Sequence, residues 1–135
     1  MRRKRYLEKL EFFEDEFNFI ASHDICDDVT ERALLHSLQT CAEISMGVVA
    51  MLTKDAGLAV GDDHTNIEKL ARESIIDVNE MKVLKEYNGL RNSIVHRYGT
   101  LDMERVIEGL DGIGKLYQVV VKLAEIYERV SASND

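Results

Sequence analysis

The chain reads as all-α, an up-and-down bundle of four main helices with one short helix added. Three observations predict this. No proline occurs among the 135 residues, so the usual helix breaker is absent throughout. Apolar residues recur at steps of three and four along most of the chain, and no stretch alternates at the strand period. Two capping patterns, Asp28-x-x-Glu31 and Thr65-x-x-Glu68, mark helix starts.

The spacing predicts a first helix over about Lys4 to Ala21, where Leu7, Leu10, Phe13, Phe17 and Ile20 form a stripe and Glu8, Glu11, Asp15 and Glu16 fall outside it. Ser22 to Asp27 is a polar connection. A longer helix opens at the Asp28 cap and runs to about Lys54. Leu34, Leu38, Cys41, Ser45, Val48, Val49 and Leu52 mark its apolar face, widened by Leu35, Ala42 and Met46. A face that wide calls for more than one neighbour. Asp55 to His64 is a loop with two glycines. The short helix follows from Thr65 to about Ser74, with Ile67, Leu70 and Ala71 inward. Asn79 is the expected N-cap of the fourth main segment, whose apolar contacts are Met81, Leu84, Leu90, Ile94 and Val95, and Gly99 is placed to stop it. Thr100 or Asp102 caps a last helix over about Met103 to Val130. Gly109, Gly112 and Gly114 inside it imply a kink or close helix packing. Ser131 to Asp135 is a frayed tail.

A chain of this length folds as one domain spanning residues 1–135 and buries a real core. Cys26 and Cys41 have no metal-ligand spacing and read as two free thiols in a reducing cytoplasm. The basic start Arg2-Arg3-Lys4-Arg5 is followed by no apolar leader, and no run is long enough to span a membrane. A formal net charge of −8 disfavours broad nonspecific nucleic-acid binding and leaves room for a local basic site.

The stretch with the most chemistry is Arg91-Asn92-Ser93-Ile94-Val95-His96-Arg97-Tyr98, preceded by Tyr87-Asn88-Gly89-Leu90. It gathers a permanent cation with a planar donor fork, a side chain that takes and gives protons near neutrality, and a phenol. Arginine and histidine together suit phosphoryl chemistry that needs no metal or other cofactor. On an ideal helix Arg91 and His96 lie about 140° apart, whereas Asn92 and His96 share a face. A site shared across a two-fold axis would bring in a second Arg and His. The other account of so short a spacing is a solvated arginine and a histidine interacting with the helix C-terminal dipole.

Leu90, Arg91, Asn92, Val95, His96, Tyr98 and Gly99 together resemble the Arg-x4-His-x-Tyr signature of the HEPN superfamily, and within it the HepT-type toxins. The resemblance extends over Arg32 to Glu43, similar to the long second helix of those proteins, and over Ile67 to Leu84. It is weakest over the first helix, and the Asp55–His64 loop lacks a proline often found there. The resemblance implies a HEPN-like fold and a metal-independent endoribonuclease of a toxin–antitoxin system, acting on RNA as a homodimer. It implies Arg91 and His96 as catalytic residues, with Asn92 orienting His96 or binding phosphate. It further implies a partner, an MntA-type nucleotidyltransferase antitoxin, that attaches AMP to Tyr98 and silences the toxin.

The remaining candidates are weaker. His64 could ligate a metal but reads as part of a solvated loop, His23 with Asp24 has no nucleophile at useful spacing, His36 reads as exposed, and no histidine follows a glutamate at the spacing of a di-metal carboxylate bundle. The Arg2–Arg5 cluster reads as a solubilising terminus that could touch RNA or an acidic partner. Tyr6, Tyr87, Tyr117 and Tyr127 read as packing residues. The competing function is a non-catalytic helical module, in which the motif only organises a dimer or a nucleotide-binding surface.

Overall fold

The computed structural model describes residues 2–134, with side chains described through Val130. Its elements are α1 (Arg2–Ala21), α2 (Asp28–Asp55), α3 (Asp63–Arg72), α4 (Val78–His96), a 3-10 turn (Tyr98–Thr100), α5 (Met103–Asp111) and α6 (Ile113–Asn134). No strand occurs among the described residues. The four long helices are the expected bundle, and the short helices are two, α3 and α5, where one was expected.

The helix starts follow the predicted chemistry at neighbouring residues. α2 is capped by Asp27, whose carboxylate accepts from the Thr30 N–H at 2.8 Å while the Thr30 hydroxyl accepts from the Asp27 N–H at 3.1 Å. The Asp28/Glu31 pair lies just inside that cap. α3 starts within the expected loop, because Asp62 accepts from the Thr65 N–H at 2.8 Å. Thr65 is thus a donor at N3 and not the cap. α4 is capped by Asp77 in a reciprocal box with Glu80, at 2.7 and 2.8 Å. Asn79 lies inside the helix. A carboxylate at the cap also meets the positive end of the helix dipole, which neutral Thr65 and Asn79 cannot do.

The expected last helix is divided. Gly112 ends α5, its N–H reaching the Glu108 carbonyl at 2.9 Å, and α6 begins at the next residue. Gly109 is buried where α5 meets α4: a Cβ there would stand 2.7 Å from Leu90 Cδ1. At the same junction the buried Tyr87 hydroxyl donates to the Gly109 carbonyl at 2.7 Å. Tyr87→Phe is therefore expected to destabilise the fold by about 1 kcal/mol, measured as a lower denaturant midpoint. An unchanged midpoint would show that the bond stabilises nothing net. The backbone of α6 continues to Asn134, beyond the expected start of fraying at Ser131, and Asp135 lies outside the described residues.

α2 is the central element. It packs against α1, α4 and α6 as well as the short helices, so its broad apolar face is covered within the protomer. Tyr6 stacks on Tyr127 with ring centroids 4.4 Å apart, and Phe13 meets Tyr117 at 5.4 Å, binding α1 to α6. Glu80 is buried and paired with Lys122 at 2.9 Å, which ties the start of α4 to α6. Cys41 is a core residue whose thiol is pushed up to about 12 by burial, and Cys26 is exposed. Among the described residues no helix is long and apolar enough to cross a membrane.

Candidate functional site

Helical geometry holds through the whole motif as far as His96, the last residue of α4. The chain then leaves the helix at Arg97 (φ −134°, ψ 37°), whose N–H still reaches the Ser93 carbonyl at 2.8 Å. Gly99 lies in the 3-10 turn and takes no left-handed conformation; among the described residues only Gly57 and Ser74 have positive φ. The helix thus stops before the glycine expected to stop it.

Arg91 is half-buried and anchored. Its Nη1 donates to Asn92 Oδ1 at 3.0 Å, and its Nε, cut off from solvent, lies 3.8 Å from Glu43 Oε1 on α2. Glu43 is itself positioned by Gln39, whose Nε2 donates to the same oxygen at 2.9 Å. Since Nε is the enclosed end of the guanidinium, the Nη end is the part that remains accessible. Asn88, one turn before Asn92, is 8% exposed, and its Oδ1 has no hydrogen-bond partner among the described residues.

His96 and Tyr98 are exposed, Tyr98 to 50%. Neither side chain has a hydrogen bond or ion pair among the described residues. Because the helix is regular through both positions, the offset of about 140° between Arg91 and His96 persists. Asn92 does lie on the His96 face, but the hydrogen bond it accepts comes from Arg91.

Glu43 and Arg105 were not identified from the sequence as neighbours of the motif. Glu43 reads there as one more polar residue of α2, and contact between helices leaves no mark on local spacing. Arg105, an exposed residue of α5, reaches Gly89 of α4, its Nη2 lying 3.9 Å from where a Cβ on that glycine would stand. Gly89, Asn92 and His96 recur at i, i+3 and i+7, so Arg105 places a second guanidinium on the face that carries His96.

The other histidines lie elsewhere. His64 is 3.6 Å from Glu68 in an exposed pair, and His36 is exposed on α2. His23 stacks on Phe19 with centroids 4.1 Å apart. Clefts of about 560 and 550 Å3 are lined by residues away from the motif, whose His96 and Tyr98 side chains lie exposed on the surface.

Comparison with known proteins adds the following. The family model described as "Ribonuclease HepT-like" matches residues 4–123. Two proteins of Archaeoglobus fulgidus, each carrying the name "Putative RNase", are similar over nearly their whole length. One is 47% identical, covering 97% of this chain and 99% of its own; the other is 34% identical, covering 96% and 98%. Among solved structures the fold matches that of a tri-AMPylated HEPN toxin of Shewanella oneidensis in complex with MNT antitoxin. That match has a TM-score of 0.75 at 18% identity and covers 92% of this chain and 96% of the other.

Proposed function

The chain belongs to the HepT-like ribonuclease family, and we propose that it is a toxin endoribonuclease that cleaves RNA without a metal, with Arg91 and His96 as catalytic residues. The observation that carries this reading is the end of α4. An anchored guanidinium with its Nη end accessible, an exposed imidazole and an exposed phenol all fall within its last turns and the turn that follows.

In the proposed reaction the ribose 2′-hydroxyl attacks the neighbouring phosphorus and the 5′ oxygen of the next nucleotide leaves. A neutral imidazole takes the 2′ proton, and a protonated one supplies a proton to the leaving oxygen. The Nη end of Arg91 meets the charge that builds on the non-bridging oxygens. Asn92 and Glu43 hold that fork in place, and Arg105 adds positive charge at Gly89, about two turns before His96 on the same face of α4. Cleavage of single-stranded RNA in the presence of EDTA is the direct test. Activity that EDTA abolishes would overturn the metal-independent reading.

One observation bears on the competing, non-catalytic reading: no described residue of the protomer holds the His96 ring by a hydrogen bond or ion pair, and a histidine that transfers protons works best when oriented. A second protomer answers this. Two motifs facing each other across a two-fold axis give the site a base, an acid and paired guanidinia for one phosphate. The dimer reading rests on this need and on the offset between Arg91 and His96. The wide face of α2 no longer supports it, since the protomer covers that face itself. Light scattering is expected to show a homodimer at micromolar concentration, and a monomer there would exclude a shared site.

Regulation completes the proposal. A partner nucleotidyltransferase of the MntA antitoxin type transfers AMP from a nucleoside triphosphate to the Tyr98 phenolic oxygen. The new P–O bond forms as pyrophosphate leaves. The solved toxin of similar fold is AMPylated and bound to MNT antitoxin, and Tyr98 is accessible to such a partner.

A further inference from the structure

Between α1 and the second half of α2 runs a cleft of about 550 Å3 that the motif chemistry does not use. Arg5, Lys9 and Lys54 line it, and none of the three makes an ion pair or hydrogen bond with a described residue. Arg2, at the same cleft, is already engaged: its Nε donates to Asp55 at 2.9 Å, and Asp55 also accepts from the buried Tyr6 hydroxyl at 2.9 Å. Lys9 extends across α2, its Nζ lying 3.7 Å from where a Cβ on Gly47 would stand. At the rim, Phe12 is 62% exposed. Glu8 is the one carboxylate in the lining, and Glu8 and Phe12 form the border with a neighbouring depression that Glu11, Glu14 and Asp15 line.

In a chain with 25 acidic residues against 17 basic ones, three cations that converge on one cleft without a carboxylate partner are an exception to the overall charge. They are suited to an anion supplied from outside. The exposed aromatic ring beside them narrows the class. Cations that follow a backbone, with a ring on which a base can stack, are the combination that binds single-stranded nucleic acid. An acidic peptide would satisfy the cations and leave Phe12 without a role.

The position fits as well. Glu43, Gly47, Ala50 and Lys54 follow one another at steps of four, three and four along one face of α2. That strip runs from the neighbour of Arg91 to the far end of the cleft, about 16 Å at the helical rise. We propose that this cleft holds the backbone of single-stranded RNA a few nucleotides from the cleaved bond, with phosphates on Arg5, Lys9 and Lys54 and a base on Phe12. The identity of the ligand rests on the ribonuclease reading.

Binding is best measured in the His96→Ala protein, so that the RNA stays intact, with a fluorescent single-stranded oligoribonucleotide long enough to span both sites. Changing Arg5, Lys9 and Lys54 together to glutamine is expected to weaken binding at least 10-fold. It should also flatten the salt dependence, since each phosphate contact contributes about 0.7 to the log–log slope on a single strand, or about 2 in all. Phe12→Ala alone is expected to weaken binding about fivefold or more. With His96 intact, the triple variant should cleave a dinucleotide as wild type does and show a raised KM only on the long strand. An unchanged affinity and salt slope in the triple variant overturns the proposal. So does loss of polyglutamate binding while RNA binding persists, which would assign the cleft to an acidic protein partner. If wild type cleaves no RNA, the ribonuclease reading fails, and RNA binding by the His96→Ala protein still decides the cleft.

Discussion

His96→Ala is expected to lower RNA cleavage by about 10²–10⁴-fold, the usual loss when a positioned acid–base group is removed, while leaving the melting temperature unchanged. The second half of that expectation follows from placement. The His96 side chain is exposed at the end of α4 and makes no hydrogen bond or ion pair with a described residue, so its removal orphans no polar group and opens no buried cavity. Arg91→Ala should reduce cleavage comparably, with a different stability signature, since it also removes the Asn92 hydrogen bond and the Glu43 pair. Arg91→Lys should recover little, because a lysine keeps the charge and loses the fork that Asn92 and Glu43 orient. Rates from purified variants on single-stranded RNA in EDTA decide this. If both alanine variants retain activity, the chemistry resides elsewhere and the motif only organises the fold or a dimer.

A shared site also predicts dominance. One composite site needs a histidine from each chain, so wild-type protomers that exchange with an excess of inactive His96→Ala chains should lose activity. Two sites that are each complete within a protomer would keep the activity of every wild-type chain in the mixture.

The fold was largely legible because its signals are local. Helical spacing and the lack of proline act within a few residues, and they place the four long helices. The caps moved by one to three residues. Asp27 takes the place expected of Asp28, and Asp62 and Asp77 prevail over neutral Thr65 and Asn79 since a carboxylate both accepts the free N–H groups and meets the helix dipole. The break at Gly112 was less visible, because it depends on how tightly α5 approaches α4 at Gly109, a tertiary matter. The candidate site divides in the same way. Arg91, Asn92, His96 and Tyr98 stand together in the sequence, and the chain keeps them at one helix end. Glu43 and Arg105 come from other helices, and only packing brings them to α4.

Tyr98→Phe is expected to abolish AMP incorporation altogether when the chain is produced with a nucleotidyltransferase of the antitoxin type, and to leave a protein that still cleaves RNA and stays toxic. The argument starts from exposure. At 50% accessibility, on a turn outside the helix, the phenolic oxygen can be reached by another enzyme's active site without any unfolding. The buried phenols cannot: Tyr6 and Tyr87 are core residues whose hydroxyls are already bonded to Asp55 and the Gly109 carbonyl. Silencing then follows from charge. An added AMP places a phosphodiester anion two residues from His96 and within the same turns as Arg91, where it competes with the RNA phosphate for the same fork. Phenylalanine keeps the ring and removes only the nucleophile, so folding and cleavage should be spared. Intact mass of the co-expressed chain, before and after Tyr98→Phe, is the measurement. Full-length AMP adducts on the phenylalanine variant would move the modification to another residue and dissociate it from this site.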